Sequence, residues 1–280
     1  MIYEKILLSR YTTVSSAGVL EAYVLDNSPA IDPARVRPAV LICPGGGYAF
    51  TSDREAECFA VRFLAQGYHA FVLRYSVAPA RYPTQLLEAA AAMSLLRQNA
   101  AAWHIDPDRI AVMGFSAGGH LAASLATRWN SPLLADTLGQ ESARFKPSAQ
   151  VLCYPVITSG EFAHRGSFEN LLGAEADAAA LRAQSLEYAV GEHVPPAFLW
   201  HTLEDESVPC ENSLCFAHAL RVHRVPFELH IYPEGRHGLG LCGYETAAPG
   251  DAGAYSPHTA DWLPTCCRWL DMIFLKHVGA

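Results

Sequence analysis

Ile110-Ala111-Val112-Met113-Gly114-Phe115-Ser116-Ala117-Gly118-Gly119-His120 passes from an apolar run through Gly-x-Ser-x-Gly into an Ala/Leu-rich stretch. The pattern predicts a buried strand at 110–114, a tight turn carrying Ser116, and a helix over 118–128. The pentapeptide alone is weak, because a chain of this length meets it by chance about one time in ten. The strand before it and the helix after it carry the weight. A serine on such a turn has a strained backbone, and glycine on either side removes side chains that would collide there. The helix start behind it offers the Ala117 N–H where negative charge would develop. Ser116 is therefore the candidate nucleophile.

Working outward, short apolar runs alternate with helical patterns. Strands are expected at 19–25, 39–43, 70–74, 110–114, 149–154, 197–201 and 227–232, and the first ten residues read as a further strand. Helices are expected at 54–66, 84–99, 118–128, 210–223 and 260–276, the first closed by Gly67. This alternation is the signature of an α/β fold, a mostly parallel sheet with helices on both faces. Neither a repeat nor a linker divides residues 1–280, so one domain is expected. Two segments exceed the scaffold. Residues 157–194, with one or two short helices, read as a small cap over the carboxyl edge of the sheet or as a plain surface insertion. The Gly/Ala/Pro/Tyr-rich stretch 238–257 reads equally well as a functional loop or a plain surface insertion.

A serine needs a base. Of twelve histidines, His237 lies in Gly235-Arg236-His237-Gly238 just past the last strand, where open α/β sheets build their sites. His120 is the rival, but its place in the following helix sets it beside the serine rather than facing it. The orienting acid is expected at Asp205, in the loop after strand 197–201, with Glu204 and Glu206 as competitors one register step away. Pro44-Gly45-Gly46-Gly47-Tyr48 follows strand 39–43. Its glycines let backbone approach a substrate oxygen, so Gly46 or Gly47, with Ala117, is expected to supply an oxyanion hole. Tyr48 adjoins that loop and is the expected substrate contact. Tyr154 and Trp200 are further aromatics that could line a pocket, although core packing is the simpler role for both.

Composition narrows the alternatives. The net charge is −8 without a basic stripe, which argues against nucleic acid. No run is long enough for a membrane helix. The eight cysteines form no Cys-x-x-Cys, and reduced thiols in a cytoplasmic protein are expected. Neither zinc-ligand spacing, Gly-x-Gly-x-x-Gly, nor a phosphate loop ending in Lys-Ser/Thr appears, so no metal or organic cofactor is expected. The apolar content of 51% permits a homodimer without demanding one.

The motifs Gly-Gly-Gly-Tyr at 45–48, Arg74-Tyr75 before Pro79, Asp106-Pro107-Asp108-Arg109-Ile110, the Ser116 segment, Asp205 with Val208-Pro209, and Gly235-Arg236-His237 occur in this order. Together they resemble α/β-hydrolase esterases related to acetylxylan esterases and bacterial feruloyl-esterase-like proteins, over roughly residues 37–237. The hormone-sensitive-lipase-like esterases are also close, but Pro44 stands where their glycine element carries histidine. The resemblance implies hydrolysis of small, short-chain carboxylic esters without cofactor, some members acting on acetylated sugars. With no secretory signal read at the start, short acetylated oligosaccharides are a better expected sugar substrate than intact xylan. Cleavage of a glycosidic bond is not expected. A prolyl-oligopeptidase-like peptidase and a non-catalytic binding protein on the same fold are the alternatives.

Overall fold

The computed structural model describes residues 1–12 and 14–275. Among the described residues eight strands form one sheet: β1 (Ile2–Leu7), β2 (Val19–Val24), β3 (Arg37–Cys43), β4 (His69–Arg74), β5 (Ile105–Phe115), β6 (Ala149–Cys153), β7 (Ala197–Thr202) and β8 (Phe227–Tyr232). Their spatial order is β1-β2-β4-β3-β5-β6-β7-β8. β1 and β2 run antiparallel to their neighbours, and every other pairing is parallel. This is the α/β-hydrolase fold.

The apolar runs explain the layering. Alternate residues of a strand face opposite ways, so a strand covered on both sides must be apolar throughout. Leu41, Leu73, Val112, Leu152 and Leu199 face helices Thr84–Gln98, Ala117–Arg128 and Glu211–Val222. One residue away in register, Val40, Val72, Met113, Val151 and Phe198 face helices Glu57–Ala65 and Trp262–Leu275. Among the described residues, no helix is long and apolar enough to cross a membrane.

Three boundaries differ from the pattern. β5 begins at Ile105 because Arg37 pairs with Ile105 and Ala39 with Ile110. The intervening Asp-Pro-Asp-Arg segment is accommodated as an irregularity, with Asp106 bonded to the Asp108 N–H at 3.0 Å and to Arg109 Nε at 2.8 Å. The helix expected over 54–66 is broken: a 3-10 turn Asp53–Glu55 precedes Glu57–Ala65, and the break leaves Glu55 buried. The terminal helix is split at Asp261 into Pro257–Ala260 and Trp262–Leu275, while the expected end at Lys276 lies outside the described residues. Residues 157–194 contain helices Arg165–Leu172 and Ala178–Ala183 and the turn Leu186–Tyr188. All eight cysteines are free thiols.

Candidate active site

Strand ends deliver the site. β3, β5, β7 and β8 finish at Cys43, Phe115, Thr202 and Tyr232, and the loops that follow carry the glycine run, Ser116, Asp205 and His237.

Ser116 has φ 53 and ψ −121, a conformation that costs free energy for any side-chain-bearing residue. Packing over-determines it. The Ser116 N–H donates to Cys153 O at 3.0 Å, and its carbonyl accepts from His120 N–H at 3.1 Å and Val156 N–H at 3.0 Å. A Cβ on Gly114 would lie 2.0 Å from Gly118 O, and one on Gly118 would lie 2.1 Å from Cys43 O. Both glycines are thus required by backbone contact, and the turn closes on itself only because they are bare.

Ser116 Oγ is 2.8 Å from His237 Nε2, and His237 Nδ1 is 2.6 Å from Asp205 Oδ2. A carboxylate only accepts, so Nδ1 carries the proton and Nε2 is left to accept from the serine hydroxyl. Asp205 Oδ1 accepts from the N–H groups of Ser207 (3.0 Å) and Val208 (2.8 Å). Burial by itself would raise the Asp205 carboxyl. Hydrogen bonds from His201, His237 and the Val208 N–H outweigh it and hold the group below the usual carboxylate range. Glu204 instead accepts from Gly235 N–H at 2.9 Å. Of the three acidic neighbours, Asp205 is the one bonded to His237.

His201 was not among the residues the sequence singled out. Its Nε2 is 2.8 Å from Val208 O and 3.3 Å from Asp205 Oδ2, and its Nδ1 is 2.8 Å from Ser213 Oγ. A carbonyl can only accept, so Nε2 bears the proton, and Asp205 lies within its reach.

Gly46 and Gly47 line a cleft of about 430 Å³ together with Ser116 and His237. Among the described residues, the N–H groups of Gly46, Gly47 and Ala117 donate to no acceptor. Residues 157–194 contribute His164, Gly166 and Asn170 to the same cleft. Asn170 Nδ2 donates to Gly47 O at 2.9 Å, and His164 is bonded to Ser167 at 2.8 Å. Burial, aided by the nearby His237, lowers the His164 pKa and favours its neutral form.

One aromatic expectation needs correction. Tyr48 does not face the cleft: its φ of 60 turns the side chain into the core, where it is 1% exposed. Its hydroxyl meets His120 Nδ1 at 2.9 Å, and His120 Nε2 donates to Gln184 O at 2.9 Å. Burial lowers the His120 pKa to about 4, so this imidazole is a neutral packing element. Trp200 is fully buried and stacks on Trp262 at 4.9 Å. Tyr154 is buried with its ring edge-on to His237 at 5.1 Å. The aromatic that does border the cleft is Phe50, which is 61% exposed. Its place in the loop after the glycines offered no periodic signal.

A strained serine at the end of a parallel strand, bonded to an imidazole that is bonded to a carboxylate, on this sheet order, defines the α/β-hydrolase class. Residues 28–220 match the BD-FAE family, and the chain belongs to it. It is 38% identical over 229 residues to endo-1,4-beta-xylanase B of Butyrivibrio fibrisolvens, covering 79% of this chain and 35% of that protein. It is 32% identical to an acetylxylan esterase of Xylanibacter ruminicola, covering 72% of this chain and 41% of the relative. The chain thus spans well under half the length of these two curated relatives. The acetyl ester-xyloside bifunctional hydrolase of Caldicellulosiruptor lactoaceticus superposes with a TM-score of 0.77 at 40% identity, covering 91% of this chain and 88% of that one.

Proposed function

We propose that this protein is a serine carboxylesterase acting on small, short-chain acyl esters, with Ser116 as nucleophile, His237 as general base and acid, and Asp205 as orienting carboxylate. The continuous hydrogen-bonded path from Asp205 through His237 to Ser116, opening on the glycine-lined cleft, is the observation that carries this reading. His237 takes the hydroxyl proton as Oγ attacks the ester carbonyl, and the tetrahedral oxyanion settles against the N–H groups of Ala117 and Gly46 or Gly47. His237 then protonates the leaving alcohol. Water repeats the sequence on the acyl-enzyme, with His237 again as base.

The cleft favours a small substrate with a polar alcohol. Ser52, Arg54, His164, Asn170 and Ser207 give it a hydrogen-bonding lining, with Phe50 as an apolar border. An acetylated sugar or short xylo-oligosaccharide fits that lining, and the name of the acetylxylan esterase relative supports the same class. Glycosidic cleavage, which the xylanase name of another relative suggests, is not part of this proposal. Glycosidic cleavage uses two carboxyl groups flanking the bond. Glu55, the sole carboxylate among the described cleft-lining residues, has both oxygens engaged by protein donors.

The test compares wild type with Ser116→Ala on p-nitrophenyl acetate, then on longer acyl esters and acetylated xylo-oligosaccharides. The reading expects wild-type turnover that falls with acyl length and disappears in the variant. Turnover retained in Ser116→Ala defeats it, and preference for a proline-containing dipeptide amide would move it to the peptidases.

A further inference from the structure

Glu55 is a buried acid that the mechanism above does not use. Glu55 is 3% exposed, and burial raises its pKa, so keeping a carboxylate there opposes desolvation. Its two oxygens have separate partners. Oε2 accepts from the Gly45 N–H at 2.8 Å, at the start of the glycine loop. Oε1 accepts from the Tyr154 hydroxyl at 2.7 Å, and that hydroxyl accepts from the Gly240 N–H at 3.1 Å, three residues past His237.

The same short segment grips both loops again. Ser52 N–H donates to Gly45 O at 3.0 Å, and Arg54 Nη1 donates to Gly238 O at 3.0 Å. Both polar backbone groups of Gly45 are therefore fixed by residues 52–55, as is the Gly238 carbonyl, and the Gly240 amide is tied to the same segment through Tyr154. Gly45 is also wedged in place: a Cβ there would lie 2.7 Å from Glu55 Oε2 and 3.0 Å from Ser116 Cβ.

We propose that Glu55 is a positioning residue, the centre of a strut Gly45–Glu55–Tyr154–Gly240 that sets the oxyanion loop against the His237 loop. This rests on the serine-esterase reading above. The strut touches no reacting atom. It fixes the peptide next to Gly46 and Gly47, and so aims their N–H groups at the point where oxyanion charge appears. Such aiming matters in the transition state more than in substrate binding. A carboxylate suits the position because it presents two acceptors and no hydrogen to two converging donors. An amide satisfies only one of them.

The experiment measures kcat and KM for p-nitrophenyl acetate in Glu55→Gln, Tyr154→Phe and the double variant, with Ser116→Ala as the inert reference. Backbone hydrogen exchange is followed at 45–47 and 238–240. Glu55→Gln is expected to lower kcat about 10- to 100-fold with KM nearly unchanged, the scale of a small misplacement of catalytic groups. Tyr154→Phe, which keeps the ring and reads the strut even if the other variant folds poorly, should lower kcat less. The double variant should match Glu55→Gln rather than the product of both effects, since the two act through one connection. Exchange should quicken in both loops together. Wild-type kcat in Glu55→Gln beside an inert Ser116→Ala overturns the strut, as do multiplicative effects or exchange confined to one loop. Turnover in Ser116→Ala sinks the serine reading instead, and the exchange measurement then decides the strut alone.

Discussion

The two sides of the cleft are held in different ways. On one side Ser116 is fixed by backbone: neighbouring strand and helix amides and carbonyls bind its own N–H and C=O, and bare glycines close the turn around it. On the other side His237 stands beyond β8, the edge strand, and its loop is held by side chains reaching from elsewhere. Asp205 holds the ring, Arg54 the Gly238 carbonyl and Tyr154 the Gly240 amide, while Thr202 and Glu204 hold the Gly235 carbonyl and amide. A turn built from backbone tolerates loss of a neighbouring side chain. A loop built from side chains does not, so the His237 loop, together with the Gly45 peptide that Glu55 holds, is where distant substitutions should reach the chemistry.

The largest effect should come from Ser116→Ala, which leaves the backbone-held turn intact and lowers kcat on the order of 10⁶-fold, measured on p-nitrophenyl acetate. On the other side, Asp205→Asn should cost on the order of 10⁴-fold with little change in KM, because it deprives Nδ1 of its charged acceptor and misorients the ring. A loss below tenfold would mean that the Gly235, Gly238 and Gly240 contacts suffice to aim His237 without the acid.

Asp205 also makes this side sensitive to acid. Its folded pKa lies below the unfolded value, so its stabilisation is complete above about pH 4 and is lost as pH falls towards the depressed value. The gap in Tm between wild type and Asp205→Asn should therefore narrow as pH is lowered from 7 to 3. A gap constant over that range would contradict the placement of this carboxylate.

The smallest effect belongs to the serine side. Tyr48→Phe removes the bond to His120 behind the glycine loop, at a cost of about 0.5–1.5 kcal/mol of stability. It should lower Tm by a few degrees and leave kcat/KM within about twofold. A larger drop in kcat/KM would put Tyr48 back in contact with substrate.

The same asymmetry explains what could be read from sequence. The Ser116 turn is local, its strand, glycines and helix all lying within residues 105–128, so the chain announces it. The sheet was legible for a similar reason, since strands covered on both faces must be continuously apolar. Asp205 and His237 could be placed only by their order behind strand ends. The support of the base was not legible: Glu55 and Tyr154 are 99 residues apart, and no periodicity relates them. Inside the helix expected over 54–66 nothing marks Glu55, because the turn that breaks that helix and sends its carboxylate inward is set by partners elsewhere. The place of Tyr48 beside the glycines suggests a substrate contact, but it says nothing of the positive φ that turns the ring into the core.

The most direct measurement is labelling with a fluorophosphonate followed by mapping of the adduct in wild type, Ser116→Ala and Asp205→Asn. One adduct on Ser116 is expected in wild type, none in Ser116→Ala, and greatly slowed labelling in Asp205→Asn. An adduct that persists in Ser116→Ala, or a wild-type protein that does not react, would contradict Ser116 as the nucleophile.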